Sequence, residues 1–430
     1  MTKIYSEATL DNGLKVLLKE IHTAPLVSSW IWYRVGSRDE ITGHTGISHW
    51  CEHMQFKGTS RFPSNLLERA VARDGGMWNA FTYFDWTTFF ETMPFDKIDL
   101  GLNIEADRMI NSLFDEKEVA SERTVVISER EGSENEPSFL LGEAVQNAAF
   151  RIHPYHHEII GDLPDLMSMS RADLYNHYRT FYTPNNALIS IAGDFKTSEM
   201  LSKIKEIYEP IPASTRPPRI ARPEPISSGE YRLKVEGPGE TTYLDISYHA
   251  PAANDPDFFP VTVLDSLLAG PSSLNMFGGG GTSNKTSRLY RALVEKELAV
   301  SVSGGLAATS DPFLYSVVIT VHPKQKPEDV LAAFDEEINA IQNKIIPEAE
   351  IRRAIKQARA LFAYGSENIT NQAFWLGYAE MFAGYGWFLS YLENLAKITP
   401  AVLQKAARKY LRPQNRVVGT YIPTGSKGQE

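Results

Sequence analysis

One cysteine, Cys51, stands in 430 residues. That excludes an internal disulfide and any zinc knuckle built on cysteine. A metal in this chain has to be held by histidine and carboxylate. Long apolar runs are also missing: nothing approaches the roughly 18 consecutive apolar residues of a membrane span. Basic charge is scarce, since 43 Lys and Arg against 53 Asp and Glu leave a net charge of −10. A nucleic-acid partner needs a basic footprint and is disfavoured; basic or neutral partners suit the balance. The N-terminus lacks the basic start and apolar stretch of a secretory leader. The expected compartment is therefore the cytoplasm, or the periplasm or another extracytoplasmic space where a leader has been removed. What is present is an ordinary globular composition, 43% hydrophobic and 22% charged, and a length that predicts two domains.

Residues 211–225 carry five prolines and read as a stiff, extended linker. They divide the chain into an N-terminal domain, 1–210, and a C-terminal domain, 226–430. The halves look like copies. Leu163 to Asn186 matches Leu392 to Asn415 without a gap, at an offset of 229 residues. Leu163/Leu392, Leu166/Leu395, Leu174/Leu403, Arg179/Arg408, Pro184/Pro413 and Asn186/Asn415 coincide. Ser170 and Thr399 coincide as helix N-caps, and each copy runs on into a strand, 187–192 and 416–422. Elsewhere, Asp11-Asn12-Gly13 predicts a hairpin turn, and 27–35 and 77–92 read as strand material. Residues 46–57, 65–74, 100–113, 116–131, 328–343 and 347–364 read as helices. Strand and helix runs segregate, so the expected class is α+β: two tandem duplicated domains, each an antiparallel-rich sheet with helices on one side.

The helix at 46–57 carries two stripes. Ile47, Trp50, Cys51 and Met54 make a core-facing face. His49, Glu52, His53 and Phe56 repeat that spacing about 200° around the axis. Histidines four apart lie one above the other and let two imidazole nitrogens meet one ion. His49-Trp50-Cys51-Glu52-His53 is the H-x-x-E-H pattern. A zinc hydrolase needs a third protein ligand and leaves the fourth position to water. The helix at 116–131 offers Glu122 and Glu129, seven apart on one face, with Glu118 close to that face and Glu131 turned elsewhere.

With these residues in place, the chain resembles the pitrilysin/insulinase family of zinc metallopeptidases over nearly its whole length. The likeness is to members of its own size: mitochondrial processing peptidase subunits and bacterial two-subunit relatives. Gly46 to Thr59 resembles the family's signature helix, and Gly75 to Thr82 with Asp85 and Thr87 its substrate-edge strand. Glu122 to Glu129 resembles the segment with the third ligand. His153-Pro154-Tyr155, Ile160-Gly161 and Tyr182 to Asn186 are further shared landmarks. The resemblance implies one Zn2+ per chain, bound by His49, His53 and Glu129, with Glu52 as general base. It implies that Glu122 supports catalysis by holding a ligand's far nitrogen. Some members place the third ligand one residue later, which here is Arg130 and cannot coordinate. Asn79 and Ala80, in the strand Asn79-Ala80-Phe81-Thr82, are implied to bind extended peptide by strand addition. Two such halves form half of a clamshell around a chamber that admits peptides or unfolded segments.

One segment departs from the family. Self-sufficient members carry an Arg and a Tyr in a stretch like R-E-x-x-G-L-A-Y. Here Val294 to Val300 takes its place, with Val294 for the Arg, Val300 for the Tyr and one residue fewer between them. The resemblance therefore implies the zinc-bearing subunit of a heterodimer whose partner supplies Arg and Tyr. A slow homodimer and a non-catalytic core or assembly subunit are the alternatives. Three other features read as no further site. The tract His153, Pro154, Tyr155, His156, His157 has no paired carboxylate on its face and reads as structural or surface. The glycine run at 278–281 before Asn284-Lys285-Thr286 lacks the Gly that a phosphate loop needs before its Lys, and the resemblance implies a mobile loop near the substrate path there instead. Cys51 lies on the packing stripe and reads as a small buried hydrophobe.

Overall fold

The structure is a computed structural model that describes residues 4–217, 219, 222–271 and 283–425, with the backbone alone at 65–67. Its strands are β1 (Ser6–Thr9), β2 (Lys15–Glu20), β3 (Leu26–Tyr33), β4 (Met77–Thr82), β5 (Thr87–Pro94) and β6 (Ala187–Gly193), then β7 (Tyr231–Gly237), β8 (Tyr243–His249), β9 (Ala299–Leu306), β10 (Leu314–Val321) and β11 (Arg416–Pro423). The first-half helices are α1 (Ile47–Gln55), α2 (Ser64–Arg73), α3 (Ile98–Asn111), α4 (Glu116–Glu134), α5 (Pro137–Ala149), α6 (Leu163–Ser168), α7 (Arg171–Phe181) and α8 (Thr197–Tyr208). Those of the second half are α9 (Phe258–Leu268), α10 (Pro327–Asn343), α11 (Glu348–Tyr364), α12 (Ile369–Phe382), α13 (Tyr385–Ala396) and α14 (Pro400–Tyr410). No described helix is long and apolar enough to cross a membrane. The glycine run at 278–281 lies outside the described residues.

Two sheets form. One has six strands in the order β1-β2-β6-β3-β5-β4, the other five in the order β7-β11-β8-β10-β9. Each is antiparallel except for one parallel pair, β2 with β6 and β11 with β7. The shared order reflects the duplication: β2, β6, β3, β5 and β4 have β7, β11, β8, β10 and β9 as counterparts. The run at 77–92 is a hairpin of β4 and β5 and not one strand, with Thr82 opposite Thr87. Tyr83-Phe84-Asp85-Trp86 makes the reversal without Gly or Pro, so the sequence carries no strong turn signal there. Ser170 and Thr399 both cap their helices, each side chain accepting a backbone N–H three residues on.

The compact units do not follow the chain halves. One comprises 1–130, 157–222 and 367–385; the other comprises 131–156, 223–366 and 386–430. The linker boundary at 211–225 is thus crossed by two exchanged segments. In the first unit α12, from the second half, packs on β6 and β3. Phe374 meets the rings of Trp30 and Trp32 at 5.4 and 5.5 Å. Gly377 lets α12 approach, because a Cβ there would stand 1.9 Å from Trp32 Nε1. Side chains alternate along a strand, so Ile31 and Tyr33 point to the opposite face. In the second unit α5, from the first half, packs on β11, β7 and β8. Each sheet therefore gains a helix from the other half in addition to its own.

Candidate metal centre

The first unit holds the H-x-x-E-H helix. The packing stripe of α1 is buried as its spacing requires: Ile47, Trp50, Cys51 and Met54 are all in the core. Cys51 donates its thiol to the Leu174 carbonyl on α7 at 3.3 Å, and burial pushes that thiol well up, so it is inert packing. The other stripe faces α4 and β4. His49 Nε2 lies 3.9 Å and His53 Nε2 3.6 Å from Glu129 Oε2. One ligand atom from each of His49, His53 and Glu129 falls within 4.8 Å of the others.

This donor set fits zinc. Ligand atoms roughly 2.0–2.1 Å from a tetrahedral ion stand about 3.4 Å apart, close to the separations here. Burial and the neighbouring His53 hold His49 down to about 3, so its imidazole is neutral, the form that coordinates. Burial alone would lower His53 as well. The hydrogen bond with Glu122 and the Glu52 and Glu129 carboxylates outweigh it and raise His53 overall. Glu122 Oε1 sits 2.9 Å from His53 Nδ1, which turns Nε2 towards Glu129. Its other oxygen pairs with the Lys57 ammonium. Burial pushes Glu122 up, but His53 and Lys57 together bring it below the usual carboxylate value.

Glu52 is buried between α1 and β4 and accepts a hydrogen bond from Thr82 Oγ1 at 2.6 Å. Burial pushes its carboxyl up to about 7, against the Thr82 hydroxyl, which favours the charged form. A carboxylate poised there suits a general base. Beside it a cavity of about 400 Å3 is lined by Glu52, His53, Phe56, Lys57, Asn79 and Glu118, among others. β4 pairs only with β5 among the described strands, which leaves its other edge open. Asn79 is exposed on that strand, its Oδ1 accepting the Ala80 N–H at 2.9 Å. Ala80 is buried, and Phe81 stacks on Phe90 at 6.3 Å.

Several placements go beyond the sequence expectations. Lys57 lies four residues after His53, so helical spacing could have found it. Thr82, in the implied substrate strand, is also the hydrogen-bond partner of Glu52. Arg130 turns away from the ligand cluster and donates to the Gly161 carbonyl at 3.2 Å. Of the histidine tract, His153 Nε2 sits 3.1 Å from Asp311, and His157 Nε2 2.9 Å from Glu40. In the second unit Val294 ends a helical turn and Val300 lies exposed on β9.

A family profile described as insulinase (peptidase family M16) matches residues 15–163, and one described as the peptidase M16 inactive domain matches 168–358. A probable mitochondrial-processing peptidase subunit beta of Arabidopsis thaliana is 25% identical over 421 residues, covering 96% of this chain and 78% of the relative. The zinc protease PqqE of Helicobacter pylori is 27% identical over 379 residues, 86% of this chain and 82% of the relative. Among solved structures, a protease from Helicobacter pylori superposes with a TM-score of 0.90 at 24% identity, over 97% of this chain and 99% of that one. The periplasmic protease PqqL of Escherichia coli gives 0.77 at 17%, over 98% of this chain and 48% of that one. Two adjoining profiles of one peptidase family, and a shared fold end to end, agree with the cluster on α1 and α4: the chain belongs to the pitrilysin/insulinase family of peptidases, M16.

Proposed function

We propose that this chain is the zinc-bearing subunit of a two-chain metalloendopeptidase acting on peptides or unfolded segments. The convergence of His49, His53 and Glu129 beside the buried Glu52 carries this reading. Bound zinc would supply a water of lowered pKa and a polarised scissile carbonyl. Glu52 takes the proton of the attacking water and passes it to the leaving amine. Thr82 donates to one Glu52 oxygen, and the other would take the proton. Glu122 fixes the His53 ring. The open edge of β4 takes the substrate as an added strand, with Asn79, Ala80, Phe81 and Thr82 alongside it.

Val294 and Val300 stand where self-sufficient members of the family have an Arg and a Tyr. A homologous partner supplying those groups is the reading that reconciles their absence with an intact metal cluster. The second reading, a non-catalytic core or assembly subunit, draws on the same two valines and on the inactive-domain match. The deciding measurement is metal content and hydrolysis of a quenched fluorogenic peptide, with and without an Arg/Tyr-bearing partner, beside Glu52→Gln. The expected result is one zinc per chain and cleavage only with the partner. Glu52→Gln should keep zinc and lose about 10²–10⁴ in rate. A chain without zinc, or with turnover indifferent to Glu52→Gln, is an assembly subunit.

A further inference from the structure

Three ligands from two helices bind one ion only if those helices keep their spacing and rotation. α1 brings His49 and His53, and α4 brings Glu129. A single short segment, residues 157–165, grips both.

Its hold on α1 lies at the helix start, over residues 43–48 immediately before His49. The buried Glu40 carboxylate accepts the Gly46 N–H on one oxygen and the Ser48 N–H on the other, both at 2.8 Å. His157, itself buried, donates to the same carboxylate at 2.9 Å and fixes where that cap sits. Asp165 accepts from the Gly43 and Thr45 N–H groups and from Thr45 Oγ1, at 3.1, 3.0 and 2.8 Å. Thr45 Oγ1 in turn accepts the Asp162 N–H at 2.8 Å. Between these points the two backbones touch: a Cβ on Gly161 would stand 2.3 Å from the Thr45 carbonyl oxygen.

Its hold on α4 is Arg130. This side chain is buried and donates to the carbonyl of the same Gly161 at 3.2 Å. Successive helical residues are about 100° apart, so pinning Arg130 fixes the direction in which Glu129 points. About two turns earlier, Arg123 lays its guanidinium over the Trp50 ring of α1 at 5.3 Å and donates to the Met169 carbonyl at 2.6 Å. That second tie runs between the same two helices.

We propose that residues 157–165 are a brace setting the distance between the histidine pair and Glu129, with His157 and Arg130 as positioning residues for the metal. The inference rests on the metal-site reading above. It also accounts for Arg130, whose side chain, next to the third ligand, bolts the helix in place instead of coordinating.

The test is zinc affinity of the full-length chain, measured by competition with a chromophoric chelator, together with thermal melting of each apo form. Arg130→Met and His157→Leu remove the donors; Arg130→Lys and His157→Gln keep one. Loss of a group supporting a metal ligand costs about 10–100-fold in affinity, so Met and Leu should each weaken zinc by about tenfold. Lys and Gln should recover most of it. The double variant should fall short of the product of the two losses, because both act through one brace. If Met and Leu lower the melting temperature but leave zinc affinity within about twofold, the segment is ordinary packing and the proposal fails. If the parent chain takes up no zinc, the metal reading itself falls, and the brace with it.

Discussion

Asp245 on β8 is a carboxylate whose burial has a measurable consequence. It has the Ser247 hydroxyl as donor at 2.6 Å. Burial pushes it up to about 6, the serine only partly opposing that. The unfolded chain titrates the same group near 3.9. Between about pH 4 and 6 the folded chain therefore keeps a proton that the unfolded chain has lost. Stability falls as pH rises through that window and stays lower above it. Asp245→Asn removes the penalty. We expect it to raise stability at pH 8 by on the order of 2 kcal/mol and to change little at pH 4, as urea melts at the two pH values would show. At this scale the sequence was legible where chemistry is local. His49, Glu52 and His53 share one helix face, and 3.6-residue arithmetic finds them. Thr82 reaches Glu52 across 30 positions and His157 reaches Glu40 across 117. No periodicity spans such separations; only the sheet and the packed α1 create those contacts.

Elements carry their own signals when end chemistry is explicit. Ser170 and Thr399 announced α7 and α14, and both cap as their side chains allow. The β4–β5 reversal carries no such mark, which is why one strand run proved to be a hairpin. Glu297 is the opposite case, a residue at odds with its position. It closes the turn at Tyr290–Val294, where its N–H reaches Val294 O at 3.1 Å and Leu298 N–H reaches Leu293 O at 2.8 Å. That pair of bonds is a Schellman ending, whose left-handed residue is usually glycine. Glu297 holds φ at 56°, a left-handed conformation that costs a residue with a Cβ and suits glycine. Glu297→Gly should stabilise the chain by about 0.5–1 kcal/mol, read as a rise in urea midpoint with an unchanged m-value. A neutral or destabilising result would mean that the Glu297 side chain makes a compensating contact.

For the molecule as a whole, the duplication was readable from the 229-residue offset, but the exchange of helices was not. α12 is buried on nearly every face, Phe374, Trp375, Leu376 and Tyr378 included. A helix that is apolar all round says that it is interior, not which sheet it covers. The exchange predicts how fragments behave. Residues 1–210 expressed alone lack α12 and leave Trp30 and Trp32 without their cover; residues 226–430 alone lack α5. Each fragment should be aggregated or molten, and the two co-expressed should yield a soluble 1:1 complex by size-exclusion chromatography. Well-folded separate fragments would show that neither sheet needs its borrowed helix.

The same exchange bears on descent. A half-length chain of this architecture has only part of its sheet's cover and would complete its core by lending a helix to a second copy and borrowing one back. Such a chain is an obligate reciprocal dimer, its assembly set by concentration. Joining two copies through a proline-rich tether makes the loan intramolecular and its effective concentration permanent. It also leaves the two copies free to diverge, and among the described residues the cluster of His49, His53 and Glu129 lies in the first.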